Sequence, residues 1–357
     1  MCGMDELRTG LSYGDVLLVP KRSPVDSRTD VDLSTRLTPS VDLERPLLSA
    51  PMDTVTESDT AVALSRAGGF GTIHRFLTVD EQAREVEQVV AAGERVGAAV
   101  GIAEDAVTRT AAVVEAGAAC VTVDVAHGHL QRCLDTVERL DREFPDVDFL
   151  VGNVATAEGV ADLYHAGADA VKVGIGPGSH CTTRRVAGVG VPQLTAVDDC
   201  SDEARDLGIP VVADGGIRTS GDAVKALMAG ADTVMMGSLF AGTEEAPTEI
   251  VEVDGTRYKR SRGMATTAAN ENRTDKTAEE AAPTADEGVE GLTEYKGPLA
   301  DVAEEFAAGI RSGLSYCGGH TIEEARERAE FIRTEAAAKD REGAHGDHDW
   351  ETVSVDD

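Results

Sequence analysis

Eight short runs of apolar and β-branched residues recur along the chain, separated by amphipathic stretches. The runs are PLLSA (46–50), GFGTI (69–73), RVGAAV (95–100), CVTVDV (120–125), DFLVGNV (148–154), AVKVG (170–174), PVVADGG (210–216) and TVMMGS (233–238). One intervening stretch, TVDEQAREVEQVVAAG, begins at Thr78, an N-cap candidate, and stops at Gly93. Strands that alternate with helices eight times predict an α/β fold, a (β/α)8 TIM barrel in a single domain.

A doubly wound open sheet is the alternative arrangement of alternating strands and helices. Such a sheet would carry a G-x-G-x-x-G turn after its first strand, and the sequence has none there. The tripeptide AGA, which begins at Ala116, Ala166 and Ala229, indicates where three helices end before the next strand. About forty residues separate the sixth run from the seventh. In a barrel this insertion falls at the C-terminal face, where active sites are built.

The chain divides into four segments by composition. Residues 1–257 are expected to form the barrel core with an N-terminal extension, and residues 258–297 form a polar flap segment. A long loop of this kind in a compact domain is usually either functional or disordered. Residues 298–338 predict two closing helices, and residues 339–357 an acidic C-terminal tail. No gap between the eight runs is long enough to hold a further domain.

The charge balance limits the kinds of partner that the chain can bind. Acidic residues outnumber basic ones by 65 to 33, for a formal net charge of −32. This charge argues against nucleic-acid partners and against docking on an anionic membrane. Either an acidic surface suited to high salt or disordered acidic tails would explain it, and the spread of acidic residues along the whole chain favours the first.

Three further features predict a cytoplasmic protein. No apolar run approaches the roughly 18 residues of a membrane span. The N-terminus lacks the basic and apolar pattern of a signal peptide. Six cysteines without paired or metal-ligand spacing predict free thiols in a reducing compartment.

One cysteine, Cys181, lies within the insertion, in the glycine-rich stretch GIGPGSHCTTRRVAGVGVPQ (174–193). A structural cysteine is usually buried among aliphatic side chains, whereas a reactive one needs exposure and nearby donors. Backbone N–H groups and Arg184 would stabilise a thiolate, the form that attacks electrophiles. The alternative is that Cys181 is a small residue that fills a turn.

Small residues also follow the last two predicted strands. Asp214, Gly215 and Gly216 end the seventh run, and Gly237 and Ser238 end the eighth. The loops after these two strands are the usual phosphate site of a TIM barrel, because small residues let backbone N–H groups reach an anion. Each glycine pair alone would more simply be a tight turn, but both at the right strands predict a phosphate site.

Polar side chains end other strands. Asp124 and Asn153 end the fourth and fifth runs, so we expect them at the mouth of the barrel, and Ser179 adds a hydroxyl group before the cysteine. His127 and His129 are metal ligands by residue type. Without a third ligand nearby, they are interpreted as hydrogen-bond donors of a loop.

Six motifs follow one another along the chain. They are APMDTVTE, VDVAHGH, GNV, GIGPGSHCTTRRVAGVGVPQ, ADGGIRTSGD and MMGSLFAGTEEAP. In this order they resemble the family of inosine-monophosphate (IMP) dehydrogenase and guanosine-monophosphate (GMP) reductase, from about Tyr13 to Trp350. The resemblance implies a TIM barrel that acts on a purine 5′-monophosphate, IMP or GMP, with NAD or NADP. It also implies a monovalent cation, usually potassium, and a homotetramer.

The resemblance implies a role for each matching residue. Cys181 would attack C2 of the purine, and Thr183, Arg273 and Glu287 would complete the catalytic set. The implied nucleotide-binding residues are Met52, Ser179, Asp214, Gly215, Gly216, Gly237, Ser238, Gly263 and Met264. The implied cofactor-binding residues are Asp124, Asn153, Gly174 and Gly176. The cation would bind the backbone carbonyls of Gly176, Gly178 and Cys181.

The sequence departs from the family pattern at several positions in and just before the flap, which matches residues 265–290. Thr274 follows Arg273 where the dehydrogenases usually have a tyrosine, Ser261 replaces the tyrosine before RGM, and Ala265 replaces a glycine. The regulatory pair usually inserted in dehydrogenases is absent, as in reductases. The reductases pair a threonine with a glutamate, which we expect to be missing here because Thr267 stands near its place.

These observations favour IMP dehydrogenase: IMP, NAD and water would give xanthosine monophosphate (XMP) and NADH through a cysteine thioimidate at C2. The alternative is GMP reductase, which would convert GMP and NADPH to IMP, ammonia and NADP. A third hypothesis is a nucleotide-binding protein without catalytic activity. Retention of both Cys181 and Thr183 argues against it.

Overall fold

The computed structural model describes residues 7–266 and 287–335. Within these residues the strands are β1 (Val16–Leu18), β2 (Thr35–Thr38), β3 (Val41–Leu43), β4 (Leu47–Ser49), β5 (Phe70–Ile73), β6 (Val96–Val100), β7 (Cys120–Asp124), β8 (Phe149–Val154), β9 (Ala170–Val173), β10 (Val211–Asp214), β11 (Thr233–Met236), β12 (Ile250–Val253), β13 (Thr256–Arg262), β14 (Glu290–Glu294) and β15 (Phe331–Arg333). The helices are α1 (Ser58–Arg66), α2 (Val79–Ala91), α3 (Ala106–Glu115), α4 (Gln131–Glu143), α5 (Ala157–His165), α6 (Thr183–Val186), α7 (Gln193–Leu207), α8 (Ser220–Met228), α9 (Ser238–Ala241), α10 (Leu299–Cys317) and α11 (Ile322–Arg328). None of these helices is long and apolar enough to cross a membrane.

A closed barrel of parallel strands forms the centre of the described structure. Strands β4 to β11 follow one another around the ring in chain order, and β11 pairs with β4 to close it. Each of these eight strands lies inside one of the eight apolar runs, so the predicted (β/α)8 TIM barrel is confirmed.

Local signals set where the helices begin and end. Thr78 caps α2 and accepts a hydrogen bond from the Glu81 backbone, while the Glu81 carboxylate reaches back to Thr78. The AGA tripeptides follow α3, α5 and α8, and their glycines Gly117, Gly167 and Gly230 have φ angles of 98°, 109° and 114°. These angles favour glycine because it has no Cβ, so the tripeptides end the helices as predicted.

The alternation of side chains along the strands divides the core in two. One set faces the helices and includes Val121, Val151 and Val171, all fully buried. The other set forms a second cluster, with Phe70 and Leu150, which includes Leu37, Val41 and Leu43 of the β2–β3 hairpin.

That hairpin lies across the N-terminal end of the barrel. Ser40 donates a backbone hydrogen bond to Asp148, just before β8, and Thr35 donates to the carbonyl of Asp232, just before β11. This hairpin does not cover the opposite end of the barrel, which is formed by the C-terminal ends of the strands.

An antiparallel sheet lies outside the barrel. It has the order β12-β13-β14 and brings Ser261 opposite Gly291 and Arg262 opposite Glu290. The described ends of the flap segment 258–297 are therefore strands, and the expectation of one long structureless loop is wrong there. Backbone pairing with β12 explains the difference, because it satisfies the N–H and C=O groups of a polar segment. Residues 267–286, between these strands, lie outside the described residues.

The closing segment differs from the expectation of two long helices. The second helix ends at Arg328, and Phe331–Arg333 pair antiparallel with Val16–Leu18, placing Leu17 opposite Ile332. Pairing with a strand about 300 residues away overrides the helical propensity of the local sequence. The acidic tail, residues 339–357, lies outside the described residues.

Candidate functional site

A large cavity lies where the barrel strands end. Its volume is about 930 Å³, within the range of small-molecule sites. All of the predicted site residues that the structure describes line it: Met52, Asp124, Asn153, Gly174, Gly176, Gly178, Ser179, Cys181, Thr183, Asp214, Gly215, Gly216, Gly237, Ser238, Gly263, Met264 and Glu287. Arg273 lies outside the described residues. The structure thus brings together residues from eight parts of the chain.

The loop after β9 presents Cys181 to this cavity. The Cys181 amide donates to the carbonyl of Gly178 at 3.1 Å, which folds the loop tightly, and the thiol is exposed. Gly174 permits the fold of the loop, because its φ is 154° and a Cβ there would lie 2.1 Å from the Asp214 carbonyl oxygen. The close approach of two strand ends therefore requires glycine at this position.

The other cysteines of the described chain have a different environment. Cys120, Cys133, Cys200 and Cys317 are buried. Burial raises the pKa of Cys120 and of Cys200 to about 12, and that of Cys133 to about 11. Thiolate formation is therefore disfavoured at these positions, and Cys181 is the exposed thiol among the described residues.

The Cys181 thiol begins a chain of hydrogen bonds that includes two oxygen-bearing side chains. The Cys181 Sγ lies 3.2 Å from the Thr183 Oγ1, and that hydroxyl donates to the Glu287 Oε2 at 2.6 Å. The backbone holds Glu287 in place, since its carbonyl accepts from the Thr182 amide at 2.8 Å and its amide donates to Ala265 at 3.3 Å. A proton can pass along such a hydrogen-bond chain between the carboxylate and a group bound at the thiol.

This geometry corrects one expectation from the sequence. We expected the threonine–glutamate pair to be missing, because Thr267 stands near the glutamate position. The structure pairs Thr183 with Glu287, which lies 104 residues further along the chain. An isolated bridge between Cys181 and Gly288 brings the two segments together, and no local sequence pattern reports that pairing.

A buried ion cluster supports the adjoining part of the cavity. The Lys172 ammonium, 2% exposed, lies 2.9 Å from Asp124 and 2.7 Å from Asp214. It also donates to the Asn153 side-chain oxygen, and the Asn153 amide donates to Asp214 at 2.9 Å. Four side chains from β7, β8, β9 and β10 thus form one network that fixes both predicted carboxylates.

The charges of this cluster stabilise one another. Burial alone would lower the pKa of Lys172, but the carboxylates of Asp124 and Asp214 outweigh it and hold that pKa above its usual value. Burial alone would raise the pKa of Asp124, but the Lys172 ammonium outweighs it and holds that pKa low. Lys172 and Asp124 are therefore both charged at neutral pH. Sequence analysis missed Lys172, although a lysine inside the apolar run AVKVG was a usable signal.

Small residues line the part of the cavity predicted to take a phosphate. The hydroxyl groups of Ser179 and Ser238 contact each other. Gly215 and Gly216 have φ angles of 89° and 77°, in the left-handed region where glycine is favoured. A Cβ at Gly237 would lie 2.9 Å from the Met52 Sδ, so a larger residue there would have to displace the Met52 side chain.

The structure describes no group of three or more histidine, cysteine or acidic side chains, among residues 7–266 and 287–335, that could hold a metal ion. His129 Nε2 lies 2.7 Å from an Asp162 carboxylate oxygen, and neither His127 nor His129 lines the cavity. Their interpretation as loop residues agrees with this placement.

Comparison with known proteins places the chain among purine-nucleotide enzymes. The family model described as "IMP dehydrogenase / GMP reductase domain" matches residues 10–345. The inosine-5′-monophosphate dehydrogenase of Nitrosopumilus maritimus is 37% identical, over 93% of this chain and 97% of that protein. The GMP reductase of Leishmania donovani is 35% identical, over 95% of this chain and 97% of that protein. These alignments extend over 462 and 481 positions, more than the 357 residues of this chain, so both relatives contain segments that it lacks.

A solved structure is similar over nearly the whole fold. It is a variant of the GMP reductase of Trypanosoma brucei in complex with guanosine 5′-monophosphate. The two chains are 33% identical and superpose with a TM-score of 0.91, over 97% of this chain and all of that one.

Proposed function

Because the chain belongs to the IMP dehydrogenase / GMP reductase family and is an oxidoreductase of that family, we propose that it oxidises IMP to XMP with NAD. The observation that carries the proposal is the hydrogen-bond chain from the exposed Cys181 thiol through Thr183 to Glu287 inside the cavity. A nucleophile needs a base that can move a proton during its reaction, and the Glu287 carboxylate at the end of this chain is such a base.

The nucleotide would lie with its phosphate at Ser179, Gly216, Gly237 and Ser238. Asp214 would then bind the ribose hydroxyls, since its carboxylate is held by Lys172 and Asn153. The remaining nucleotide residues, Met52, Gly215, Gly263 and Met264, would surround the base and the phosphate. This placement is supported by the small residues at the ends of β10 and β11, which line the cavity.

The cofactor would occupy the side of the cavity formed by Asp124, Asn153, Gly174 and Gly176. The cavity volume of about 930 Å³ lies at the upper end of the range for ligand sites, which fits a nucleotide together with a nicotinamide. When bound, the nicotinamide accepts or donates the hydride at C2. The Asp124 and Asn153 side chains are held in place by Lys172 and so can orient it.

In the first half of the reaction, the Cys181 thiolate adds to C2 of IMP and the hydride leaves C2. The product is a thioimidate between Sγ and C2. In the second half, water attacks C2, its proton passes through Thr183 to Glu287, and the C2–S bond breaks to release XMP and the thiolate. Arg273, within the residues 265–290 that match the family's flap, would assist the attack on C2.

GMP reduction is the second candidate, because the Thr183–Glu287 pair is compatible with that reaction as well. In that direction Cys181 adds to C2 of GMP, and the pair delivers a proton to the departing ammonia. A hydride from NADPH then reaches C2, and the C2–S bond breaks to release IMP. The pair can serve either reaction, since a carboxylate that accepts a proton in one direction can return it in the other.

Several finer features complete the proposal. Backbone carbonyls of Gly176, Gly178 and Cys181 would hold potassium, because carbonyl oxygens suit a hard monovalent cation. The family resemblance supports a homotetramer. The net charge of −32 supports a surface suited to a salt-rich cytoplasm. The four segments 1–257, 258–297, 298–338 and 339–357 remain the proposed organisation.

Replacement of Cys181 by alanine tests the nucleophile. We expect Cys181→Ala to lose turnover while IMP affinity stays within a few-fold, because the phosphate and ribose contacts lie elsewhere. Mass spectrometry of the wild type during turnover should show a nucleotide adduct that is absent from this variant. Cys317→Ala, at a buried thiol away from the cavity, is the matched control and should keep both turnover and adduct. Normal turnover by Cys181→Ala would rule this mechanism out.

A further inference from the structure

His180 lies between Ser179 and Cys181 and lines the same cavity, and no step of the proposed reaction uses it. Its imidazole is half-buried. The ring Nδ1 lies 3.3 Å from the Ser179 Oγ, which in turn contacts the Ser238 Oγ. One nitrogen of the ring therefore borders the proposed phosphate position.

Two hydroxyl groups of the antiparallel sheet fix the other nitrogen. His180 Nε2 lies 2.9 Å from the Ser261 Oγ, and that oxygen lies 2.8 Å from the Thr293 Oγ1. Ser261 is buried, with 2% exposed. Ser261 stands where the family usually has a tyrosine, so the family motif does not predict this hydrogen bond. The ring is thus anchored at Nε2, and its Nδ1 faces the Ser179 hydroxyl at the edge of the proposed phosphate position.

The backbone around His180 is held equally firmly. Its carbonyl accepts from the Val289 amide at 2.9 Å, and a Cβ at Gly263 would lie 2.9 Å from that carbonyl oxygen. The imidazole is therefore presented from a fixed backbone position, and its two contacts determine where its hydrogen points.

The hydrogen-bonding capacity of the imidazole decides which nitrogen faces the phosphate. A ring nitrogen donates a hydrogen bond only when it carries a hydrogen, and the two ring nitrogens of His180 have different neighbours. The hydroxyl groups of Ser261 and Thr293 can each donate or accept. A phosphate anion only accepts, and it therefore selects the tautomer with the hydrogen on Nδ1, while Ser261 donates to Nε2.

We propose that His180 binds the 5′-phosphate of the nucleotide through Nδ1 and that Ser261 and Thr293 position its ring. This inference rests on the proposed function, which places the phosphate beside Ser179 and Ser238. The consequence is specificity, because His180 then helps the site to distinguish a nucleotide from the nucleoside that lacks the phosphate.

Calorimetric titration of the full chain with IMP and with inosine, without cofactor, tests the proposal. Inosine has the same base and ribose but no phosphate. His180→Leu should weaken IMP binding about tenfold, as expected for the loss of one hydrogen bond to a charged group, and leave inosine binding unchanged. Ser261→Ala should weaken IMP binding by a smaller factor, again without effect on inosine. The control His165→Leu, at an exposed ring on α5, should change neither.

Three results would decide against the proposal. Equal losses for IMP and inosine in His180→Leu would show that the ring only shapes the base pocket. Unchanged IMP affinity in His180→Leu would show that His180 does not bind the phosphate, while the proposed function would stand. Absence of any IMP binding by the wild type would overturn both. If His180→Leu does not fold, His180→Phe serves instead, because it keeps a ring of similar shape without a hydrogen-bond donor, and it should show the same loss of IMP affinity with unchanged inosine binding.

Discussion

The Lys172 side chain contributes both to the stability of the fold and to the geometry of the site. It is almost fully buried, and its charge is compensated by Asp124 and Asp214 at the edge of the cavity. A buried ammonium without such partners would be strongly destabilising, so the two carboxylates and the lysine depend on one another.

Lys172→Met should therefore destabilise the protein and weaken ligand binding. We expect a loss of about 2 kcal/mol in the free energy of unfolding, as for hydrogen bonds to charged groups, and a higher KM for nucleotide and cofactor. Because Lys172 holds the pKa of Asp124 low, its stabilisation is present at neutral pH and is lost as the carboxylate takes up a proton. The difference in stability from wild type should shrink below about pH 4.

Denaturant unfolding at several pH values measures this, with Lys259→Met as the control. Lys259 is also 2% exposed, but it donates to the carbonyls of Glu244 and Ala246, and it does not line the cavity. That variant should lose stability without a change in KM. Equal effects of the two substitutions on KM would contradict a role for Lys172 in the site.

At the scale of single residues, the sequence predicts what local context determines. Cys181 was recognisable because a thiol among glycines and hydroxyl groups is unusual. The partner of Thr183 was not, because Glu287 reaches it through pairing between distant segments. Lys172 escaped notice because its two carboxylates come from separate strands, and only closure of the barrel brings them together.

At the scale of elements, the segment that precedes β14 holds the catalytic loop. The carbonyl of His180 accepts from the Val289 amide, and the Gly263 amide donates to the carbonyl of Val289 at 3.1 Å. Val289 thus joins the loop after β9 to the end of β13. Glu287 depends on this connection for its position beside Thr183.

Val289→Pro removes the hydrogen bond to His180, because proline has no backbone N–H. We expect kcat/KM to fall about tenfold, as expected for a displaced catalytic group, while the melting temperature changes little because Val289 lies outside the paired residues of β14. Val289→Ala keeps the N–H group and should retain wild-type activity. Steady-state kinetics of both variants provide the test, and an active Val289→Pro would show that the connection does not position Glu287.

The elements themselves were predictable to different degrees. The eight barrel strands followed from the alternation of apolar runs and helices, since each run and each cap is a local signal. Strand β15 was expected to be helix, because its partner β1 is at the other end of the chain. Pairing over such distances leaves no trace in local periodicity.

At the scale of the whole molecule, the net charge of −32 is the feature that most affects stability. Like charges repel one another in the compact state, and added salt screens them. The Debye length falls from about 10 Å at 0.1 M to about 3 Å at 1 M ionic strength. A folded surface with this excess of carboxylates should therefore be more stable at high ionic strength.

We expect the melting temperature to rise by several degrees between 0.1 M and 1 M potassium chloride. Calorimetry in potassium chloride and in sodium chloride at matched concentrations separates general screening from a specific effect of potassium. An equal rise in both salts supports screening, and an additional rise in potassium supports the proposed cation site. A melting temperature that does not respond to either salt would contradict the proposal of a surface suited to high salt.

The central claim is that the Cys181 site oxidises IMP, and two incubations in molar potassium chloride test it directly. One contains the enzyme with IMP and NAD, and the other contains it with GMP and NADPH. The account predicts NADH and XMP from the first mixture, with no more than slow NADPH oxidation in the second. Oxidation of NADPH with release of ammonia and IMP, and no XMP from the first mixture, would contradict it and assign the Thr183–Glu287 pair to GMP reduction.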